Sequence, residues 1–308
     1  MVTSTGALDI DEIPARLIIV GGGVIGLEFA CIYEALGSQV TVLEMAASVL
    51  PNATDETIAK RLQILLRRRG MAIQTSTTVR RIERVGATLR VSAAGANDEA
   101  VFEAERVLVA AGRWANTEGM GFAESGMRMN GRLIAVDERL ATSLPNVWAI
   151  GDAVGGWMLA HKAMVDGRVA AENATGGQRR VDYRSVPNVI FTRPEVASVG
   201  LTEEQSRKEG AEVKVAQFAF SANPRARILG EPEGLVRLVC EAGSGRILGV
   251  HIMGPHATDL IAEGALAVQM GATADDLAWT THAHPTLPEA MLEAALGFRG
   301  AAIHMQSR

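Results

Sequence analysis

The amino-terminal third of the chain alternates short apolar runs with amphipathic stretches. The apolar runs, rich in β-branched residues, cover 16–21, 39–44 and 106–113. The stretches with helical periodicity cover 24–36 and 54–69. Apolar runs of this length are typical of buried parallel strands, which are joined by helical crossovers. The pattern therefore predicts an α/β unit in which helices cover both faces of a parallel sheet.

The pattern changes further along the chain. Two alternating segments, 79–85 and 89–93, are followed by a turn predicted at 95–98. Together they indicate a β-hairpin insertion into the α/β unit. A further strand is predicted at 146–152, and a helix is predicted at 159–174.

After Pro187 the segments are mostly β-rich. The predicted strands are 189–191, 213–220, 235–240 and 247–252, and the one long helix is 256–270. This region is predicted to be a mixed α+β unit with an antiparallel sheet. Its helix carries a face of small and apolar residues, which are Leu260, Ile261, Gly264, Ala265 and Val268. Such a face either packs into the core of its own chain or forms a subunit interface.

A glycine motif follows the first predicted strand. The segment GGGVIG fits the pattern G-x-G-x-x-G with Gly21, Gly23 and Gly26. After a strand and at the start of a helix, this pattern is typical of a dinucleotide-binding turn. Gly21 permits the tight turn, Gly23 lets the backbone approach a pyrophosphate, and Gly26 lets helix and strand pack closely. The amino terminus of the helix offers free N–H groups to the phosphates.

Two acidic residues accompany this motif. Glu44 ends the second strand, 18 residues after Gly26, where a carboxylate can accept hydrogen bonds from both ribose hydroxyls. A negative charge there repels a 2′-phosphate, so NAD is favoured over NADP. Glu28 is predicted to lie in the first helical turn, where it either stabilises the helix start or makes a polar contact near the nicotinamide.

Charge and cysteine usage exclude several classes of protein. The net charge is −5 and the longest cationic run, Arg67–Arg69, ends a predicted helix, so no nucleic acid is expected as a partner. No apolar stretch reaches the roughly 20 residues needed to span a bilayer, so no membrane association is expected. The acidic amino terminus does not resemble a signal peptide, and a cytoplasmic location is expected. Cys31 and Cys240 are far apart, which argues against a disulfide scaffold or a metal site.

Five segments carry a resemblance to a known family. They are IPARLIIVGGGVIGLEFA, VLVAAGR, NVWAIGDAVGGWMLAHKAMVDG, TRPEVASVGLTEEQ and HAHPTLPEA, in this order. Together they resemble the flavoprotein disulfide reductases, and within them the dihydrolipoyl dehydrogenases. The resemblance covers nearly the whole chain. It implies a Rossmann-like NAD-binding domain at 13–113, the C-terminal part of an FAD-binding domain at 114–186, and an α+β interface (dimerisation) domain at 187–308.

The resemblance also implies cofactor sites and partners. The NAD site would comprise Gly21, Gly22, Gly23, Val24, Ile25, Gly26, Leu27, Glu28, Glu44, Val79 and Gly112. The FAD side would comprise Asp152, Met158, Leu159, Ala160 and His161. The carboxylate of Asp152 would accept hydrogen bonds from the ribityl chain of a flavin, or it would cap the following turn. The implied partners are a second copy of the chain, bound through 187–308, and lipoyl-bearing proteins of a 2-oxo acid dehydrogenase complex.

The segment HAHPTLPEA has two interpretations. The resemblance makes His284 the general base that faces the substrate thiols and Glu289 the carboxylate that orients it. A thiol with a pKa of about 8.5 must lose its proton to react, and an imidazole can take that proton. The spacing of Thr286 and Glu289 also fits a capping box at the start of a helix predicted at 287–296. His282 matches the first histidine of the family pattern and is given no chemical role.

Two features of the family are not found in the sequence. It has no second glycine fingerprint for the ADP part of FAD, and no C-x-x-x-x-C pair for a redox-active disulfide. The chain is therefore expected to correspond to a family member without its first third. Oxidation of dihydrolipoyl groups, with hydride passed through FAD to NAD, is expected to be impaired or incomplete. The alternatives are a non-catalytic NAD-binding dimerising fragment and another disulfide reductase, of the glutathione or mercuric type.

Overall fold

A parallel sheet lies at the centre of the amino-terminal region. The computed structural model describes residues 1–9, 11–95 and 99–304. The strands of this region are β1 (Arg16–Val20), β2 (Gln39–Leu43), β3 (Ala72–Gln74), β4 (Thr78–Val85), β5 (Thr88–Ala94), β6 (Glu99–Ala104) and β7 (Arg106–Val109). Four of them form the parallel sheet, in the order β3-β2-β1-β7. Val20 is paired with Leu43 on one side and Val109 on the other, so the carboxyl ends of three strands share one edge. Most of the turn predicted at 95–98 lies outside the described residues.

The two faces of the parallel sheet are covered differently. The helices of this region are α1 (Ser4–Ala7), α2 (Val24–Ala35) and α3 (Glu56–Arg68). Leu17 and Ile19 pack in one core with α2 and α3, whereas Ile18 packs in another with Leu89 and Val91 of β5. The prediction of helices on both faces is therefore wrong, because β4, β5 and β6 form an antiparallel sheet on the second face. A continuously apolar strand shows that both faces are covered, but it does not show by which elements.

Residues 113–186 form a compact unit of their own. Its regular elements are β8 (Met129–Asn130), β9 (Leu133–Ile134) and α4 (Ala160–Ala174). The strand predicted at 146–152 is wrong: the segment makes one β-bridge, between Trp148 and Ala141, and continues into a 3₁₀ turn at Gly151–Val154. An apolar run forms a strand only where a neighbouring strand provides partners for its backbone hydrogen bonds. Here residues 147–149 instead form backbone hydrogen bonds with the nearby segment 140–142.

An antiparallel sheet organises the region after Pro187. Its strands, in the order β10-β11-β14-β13-β12, are β10 (Asn188–Ile190), β11 (Glu195–Gly200), β12 (Val213–Ala219), β13 (Leu235–Glu241) and β14 (Ile247–Gly254). The helices are α5 (Glu203–Lys208), α6 (Pro224–Leu229), α7 (Ala257–Met270), α8 (Ala274–Trp279) and α9 (Glu289–Phe298). β11 is not among the predicted strands, yet it lies inside the sheet between β10 and β14. None of the helices in the described ranges has the length and apolarity needed to cross a bilayer.

Helix α7 packs directly on this sheet. Ile261 and Gly264 are buried, and a Cβ added to Gly264 would lie 3.0 Å from Cβ of Val250 in β14. This close approach places the small-residue face of α7 in the core of its own chain. Of the two predictions for this face, the structure therefore agrees with core packing. Leu266 and Met270 of the same helix are exposed.

The residues before 113 and after 186 form one compact unit. Val196 of β11 and Met253 of β14 belong to the same apolar core as α2 and α3. Polar contacts join the two regions as well: Thr54 Oγ1 lies 2.7 Å from Ser198 Oγ, and Asn188 Nδ2 donates to the carbonyl oxygen of Ala53 at 2.7 Å. The segment after β2 is therefore fixed to the antiparallel sheet.

Candidate functional site

The glycine motif forms the turn between β1 and α2, at the edge where the strand ends meet. Gly21 has a φ of 111°, and a Cβ there would lie 2.4 Å from the carbonyl oxygen of Ala110. A Cβ on Gly26 would lie 2.0 Å from the carbonyl oxygen of Gly21. Side chains at these positions would force the turn apart, so both glycines are needed to close it. A Cβ on Gly23, by contrast, would have no heavy atom within 4 Å.

The open side of this turn fits a pyrophosphate. Gly23 caps α2, a helix of 12 residues whose first N–H groups have no acceptor within the helix. Val24 and Ile25 follow it and are partly exposed. Backbone N–H groups at an open helix start are the donors that phosphates prefer. Leu27 differs from its neighbours: its side chain is fully buried and its N–H donates to the carbonyl oxygen of Gly23, so it contributes to the core rather than to a ligand surface.

Glu44 is bonded to the glycine turn. Its Oε2 accepts a hydrogen bond from Gly22 N at 2.6 Å, and its Oε1 accepts one from Ala46 N at 2.7 Å. The carbonyl oxygen of Gly22 in turn accepts from Leu50 N at 2.9 Å. A carboxylate has about four acceptor positions, so Glu44 keeps the capacity for two further hydrogen bonds, although its side chain is buried. Glu44 therefore also has a structural role, because it holds the glycine turn in place. The sequence does not signal this role, since the role depends on the register in which β1 and β2 pair.

Val79 and Gly112 lie near the same edge of the sheet. Thr77 N donates to the carbonyl oxygen of Glu44 at 2.9 Å, which brings the start of β4 alongside the end of β2. Val79 is two residues further on and partly exposed. Gly112 has a φ of 125° and follows β7, whose end adjoins the glycine turn. The glycine turn, Glu44, Val79 and Gly112 therefore lie at one edge of the sheet, whereas Leu27 is buried in the core and Glu28 is bonded to the loop after β10.

Glu28 lies in the second turn of α2, so its predicted place in the first turn is wrong. Its Oε1 accepts a hydrogen bond from Phe191 N at 2.8 Å. Burial raises the pKa of Glu28, and the bond from Phe191 offsets part of that rise. Glu28 connects α2 to the loop after β10, which excludes stabilisation of the helix start as its role.

The residues assigned to a flavin lie in the unit 113–186. Asp152 belongs to the 3₁₀ turn, its side chain is 43% exposed, and its Oδ2 lies 3.7 Å from a guanidinium nitrogen of Arg113. The remaining four, Met158, Leu159, Ala160 and His161, span the start of α4. An accessible carboxylate and an open helix start fit the hydroxyl and phosphate groups of a flavin dinucleotide.

A buried ion pair that the sequence reasoning missed holds the 3₁₀ turn in place. Lys162 Nζ lies 2.7 Å from Asp166 Oδ2, and the two side chains are 3% and 0% exposed. Lys162 donates to the carbonyl oxygens of Gly151 and Gly155, and Asp166 accepts from Gly151 N at 3.0 Å. The hydroxyl of Tyr183 donates to Asp166, and burial together with that carboxylate raises the pKa of Tyr183. The spacing K-x-x-x-D on one helix is the signal that could have found the pair.

His284 and Glu289 form a hydrogen-bonded pair at the start of α9. Nδ1 of His284 lies 2.8 Å from Oε1 of Glu289. A carboxylate accepts hydrogen bonds, so Nδ1 is the donor and the lone pair of a neutral ring lies on Nε2. The His284 side chain is 65% exposed, which leaves it open to a reactant.

Glu289 also holds the loop that carries His284. Its Oε2 accepts from Thr286 N at 2.7 Å. Burial would raise the pKa of Glu289, but the bonds from Thr286 and His284, with the charges of His284 and His304, outweigh it and hold that pKa below its ordinary value.

The predicted capping box is wrong. Helix α9 begins at Glu289, and the hydroxyl of Thr286 donates to the carbonyl oxygen of Ala283 at 2.7 Å instead of capping the helix. The bond from Thr286 N to the Glu289 carboxylate exists beside the bond from His284. One carboxylate therefore serves both the loop and the histidine.

The two cysteines are both free and buried. Burial raises the pKa of Cys240 to about 12 and raises that of Cys31 as well. A thiol reacts through its thiolate, so neither residue has the chemistry of a redox-active cysteine.

Two family descriptions match this chain. "Pyridine nucleotide-disulphide oxidoreductase" matches residues 1–167, and "Pyridine nucleotide-disulphide oxidoreductase, dimerisation domain" matches residues 186–295. The chain belongs to the pyridine nucleotide-disulphide oxidoreductase family. Its resemblance to the class I flavoprotein disulfide reductases is thereby confirmed. The family is FAD-dependent and uses NAD or NADP, and its dimerisation domain supports a homodimer.

Several relatives in this family are dihydrolipoyl dehydrogenases. That of Thermus scotoductus is 45% identical over 99% of this chain and 67% of the relative. The mitochondrial enzyme of Pisum sativum is 42% identical over 99% of this chain and 61% of the relative. Leghemoglobin reductase of Glycine max is 43% identical over 96% of this chain and 57% of the relative. The chain thus spans about three fifths to two thirds of the length of these relatives.

Solved structures agree with the fold. The HOCl-induced flavoprotein disulfide reductase RclA from Escherichia coli matches with a TM-score of 0.88 and 31% identity, over 96% of this chain and 67% of the other. LpdA from Mycobacterium tuberculosis matches with a TM-score of 0.88 and 31% identity, over 96% and 64%. The predicted α/β fold class, with a dimerisation domain, is confirmed.

Proposed function

We propose that this chain provides the NAD-binding, dimerisation and acid–base parts of a dihydrolipoyl dehydrogenase. In that reaction dihydrolipoyl groups are oxidised and a hydride passes through FAD to NAD. The observation that carries the proposal is the His284–Glu289 pair, whose hydrogen bond of 2.8 Å leaves the exposed ring with Nε2 as its basic atom.

In this proposal His284 accepts the proton of a substrate thiol. A thiol with a pKa of about 8.5 is mostly protonated at neutral pH, and only the thiolate reacts. Glu289 fixes the tautomer that leaves Nε2 free and stabilises the imidazolium once the proton has been taken. The lowered pKa of Glu289 supports this role, because the carboxylate then stays charged at neutral pH.

NAD is the nucleotide that the glycine turn and Glu44 favour. The pyrophosphate would lie against Gly23 at the start of α2, and the ribose would bond to Glu44. The negative charge of Glu44 disfavours the 2′-phosphate of NADP, which also disfavours a reductase of the glutathione type. Val79 and Gly112 would complete the edge of this site.

The flavin side of the proposal rests on Asp152 and the segment 158–161. Asp152 would bond to the ribityl chain, and the start of α4 would face the phosphates. FAD, when bound, supplies the electron relay between thiols and nicotinamide. We propose domain boundaries at 13–113, 114–186 and 187–308, a homodimer through the last of these, and lipoyl-bearing proteins of a 2-oxo acid dehydrogenase complex as partners.

A second candidate function is favoured by the cysteines. The 308 residues contain no C-x-x-x-x-C pair, and Cys31 and Cys240 are buried. A chain that binds NAD and dimerises without redox chemistry agrees with that observation. In the first proposal, turnover requires a segment with a redox-active thiol pair, whereas in the second no such segment restores it.

The experiment supplies that segment in trans. The chain is co-expressed with the part of the Thermus scotoductus relative that it does not cover, and oxidation of dihydrolipoamide by NAD is measured. Restored turnover is expected, and His284→Gln should lower its rate by about 10²–10⁴-fold, the usual contribution of a general base. His256→Gln, which changes another exposed histidine, is the matched control and should not lower it.

Two results would contradict the proposal in different ways. Flavin and NADH binding without turnover would favour the non-catalytic module. No heat on titrating NADH into folded wild-type chain would remove both candidates, because both require the nucleotide site.

A further inference from the structure

His282 lies two residues before His284 and forms hydrogen bonds through both ring nitrogens. Its Nδ1 lies 2.9 Å from the carbonyl oxygen of Thr280, and its Nε2 lies 2.9 Å from Oε1 of Glu263. Its side chain is 5% exposed, against 65% for His284. The two histidines of this loop are therefore held by carboxylates on different helices, His282 by α7 and His284 by α9.

Both atoms that face the His282 ring are acceptors. A carbonyl oxygen only accepts, and an ionised carboxylate only accepts. Each ring nitrogen of His282 therefore faces an acceptor oxygen at hydrogen-bond distance. The ring is held at both nitrogens, and it cannot rotate without losing a hydrogen bond.

Glu263 has a fixed place in the fold. The next residue, Gly264, brings α7 close to Val250 of the antiparallel sheet. The side of α7 at Glu263 meets the loop itself, since Glu263 lines a small internal gap together with Leu287 and Pro288. The sheet thus fixes the position of Glu263, and the hydrogen bond between Glu263 and His282 holds the loop relative to the sheet.

Separate contacts hold the other side of His284. Thr286 N donates to Glu289 at 2.7 Å, and the carbonyl oxygen of Thr286 accepts from Asn223 Nδ2 at 3.0 Å. Asn223 is 1% exposed and caps α6, so it too belongs to the framework. His284 lies between these contacts and the His282–Glu263 pair.

We propose that His282 and Glu263 are positioning residues for the basic Nε2 atom of His284. The inference rests on the proposed acid–base function of His284. The ring of His284 is exposed. Its bond to Glu289 forms only where the backbone between His282 and Thr286 places the ring within reach of that carboxylate. Loss of the Glu263 bond frees the amino-terminal side of that backbone and weakens the bond from His284 to Glu289.

The test compares Glu263→Ala with Glu263→Gln in the whole chain, by nitrogen NMR of the histidine rings. The shifts of Nδ1 and Nε2 report which nitrogen of His284 carries the proton. Glu263→Ala should lose the Nδ1-protonated signature of His284. Glu263→Gln, whose amide still bonds to the His282 ring, should restore it. Asp259→Ala is the matched control, since it removes an exposed acid beside His256 on the same helix, and it should leave His284 unchanged.

The outcomes separate positioning from fold stability. A folded Glu263→Ala chain with the wild-type His284 signature overturns the proposal. If that variant does not fold, His282→Gln decides on the same signal, where a retained signature overturns the proposal and a lost one supports it. NADH calorimetry on the same samples tests the proposed function independently. If Glu263→Ala changes the His284 signature but the wild-type chain does not bind NADH, the proposed function is removed and the positioning role remains.

Discussion

The carboxylate of Glu44 and the main-chain N–H of Gly22 are joined by a hydrogen bond of 2.6 Å. The acid that would bind the ribose therefore also holds the turn that would bind the phosphates. The second oxygen of Glu44 bonds to Ala46 N, so the residue is fixed at both oxygens before any ligand arrives. Such an arrangement orients the carboxylate in advance, which lowers the entropy that binding has to overcome.

Replacing Glu44 should therefore cost stability as well as affinity. Glu44→Ala leaves one buried and one partly buried N–H donor without an acceptor and should lower the free energy of unfolding by about 1.5–3 kcal/mol. Urea denaturation measures this, and calorimetry should show loss of NADH binding. Glu231→Ala, at an exposed position, is the control and should change neither quantity. A Glu44→Ala chain as stable as the wild type would contradict the structural role.

Gly23, which caps α2, and Gly26, which lies inside that helix, should respond differently to replacement by alanine. Gly26→Ala places Cβ 2.0 Å from a carbonyl oxygen and should destabilise the fold by about 1–3 kcal/mol or more. Gly23→Ala meets no atom within 4 Å, so its stability should stay within about 0.5 kcal/mol of the wild type. Its Cβ would nevertheless enter the space proposed for the pyrophosphate. Unchanged NADH affinity in Gly23→Ala would place the nucleotide elsewhere.

The ion pair of Lys162 should contribute far more than a surface pair of the same geometry. Lys162–Asp166 and Glu56–Lys60 are both i,i+4 pairs at 2.7 Å, but the first is buried and the second exposed. Lys162→Met leaves a buried carboxylate without its cation and should lower stability by about 3–5 kcal/mol. Lys60→Met should change it by about 0.5 kcal/mol at most. Tryptophan fluorescence during urea denaturation measures both, and equal effects would contradict the structural role of Lys162.

Neither cysteine should react with a thiol reagent in the folded chain. Burial raises the pKa of Cys240 to about 12 and also raises that of Cys31, so both stay protonated and inaccessible at neutral pH. Titration with an aromatic disulfide should detect no thiol in buffer, and both thiols in denaturant. Rapid reaction of either residue in the native state would show a cysteine capable of redox chemistry.

The contribution of Glu289 should disappear only in acid. Its pKa is lowered in the folded state, so its stabilisation is complete above the ordinary glutamate value of 4.5 and is lost as the pH falls through the folded value. The difference in free energy of unfolding between wild type and Glu289→Gln should therefore be constant from neutral pH down to about the ordinary value of 4.5 and shrink below it. A difference that shrinks between pH 7 and pH 5 would show that the carboxylate is not stabilised in this way.

Local pattern determined most of the elements and the identity of the chemical groups. The β1 run, the glycines of the turn and the periodicity of α3 are signals that short segments carry by themselves, because a tight turn and an amphipathic face depend on neighbouring residues. The family followed from the order of five motifs. Strand β11 was missed because EVASVG is short and carries only two large apolar side chains, Val196 and Val199. Its place inside the sheet depends on pairing with β14, 49 to 59 residues further along the chain, as well as with β10.

The sequence by itself therefore established the glycine turn, the His–Glu spacing and the family. Only the tertiary structure decided that Leu27 is buried, that Glu28 bonds to Phe191, that Lys162 and Asp166 hold a turn, and that 146–152 is not a strand. It alone showed that one carboxylate, Glu289, serves both His284 and Thr286. The physical reason is the same in each case: burial and hydrogen-bond partners are set by segments distant in the chain, and no local pattern encodes which of them will meet.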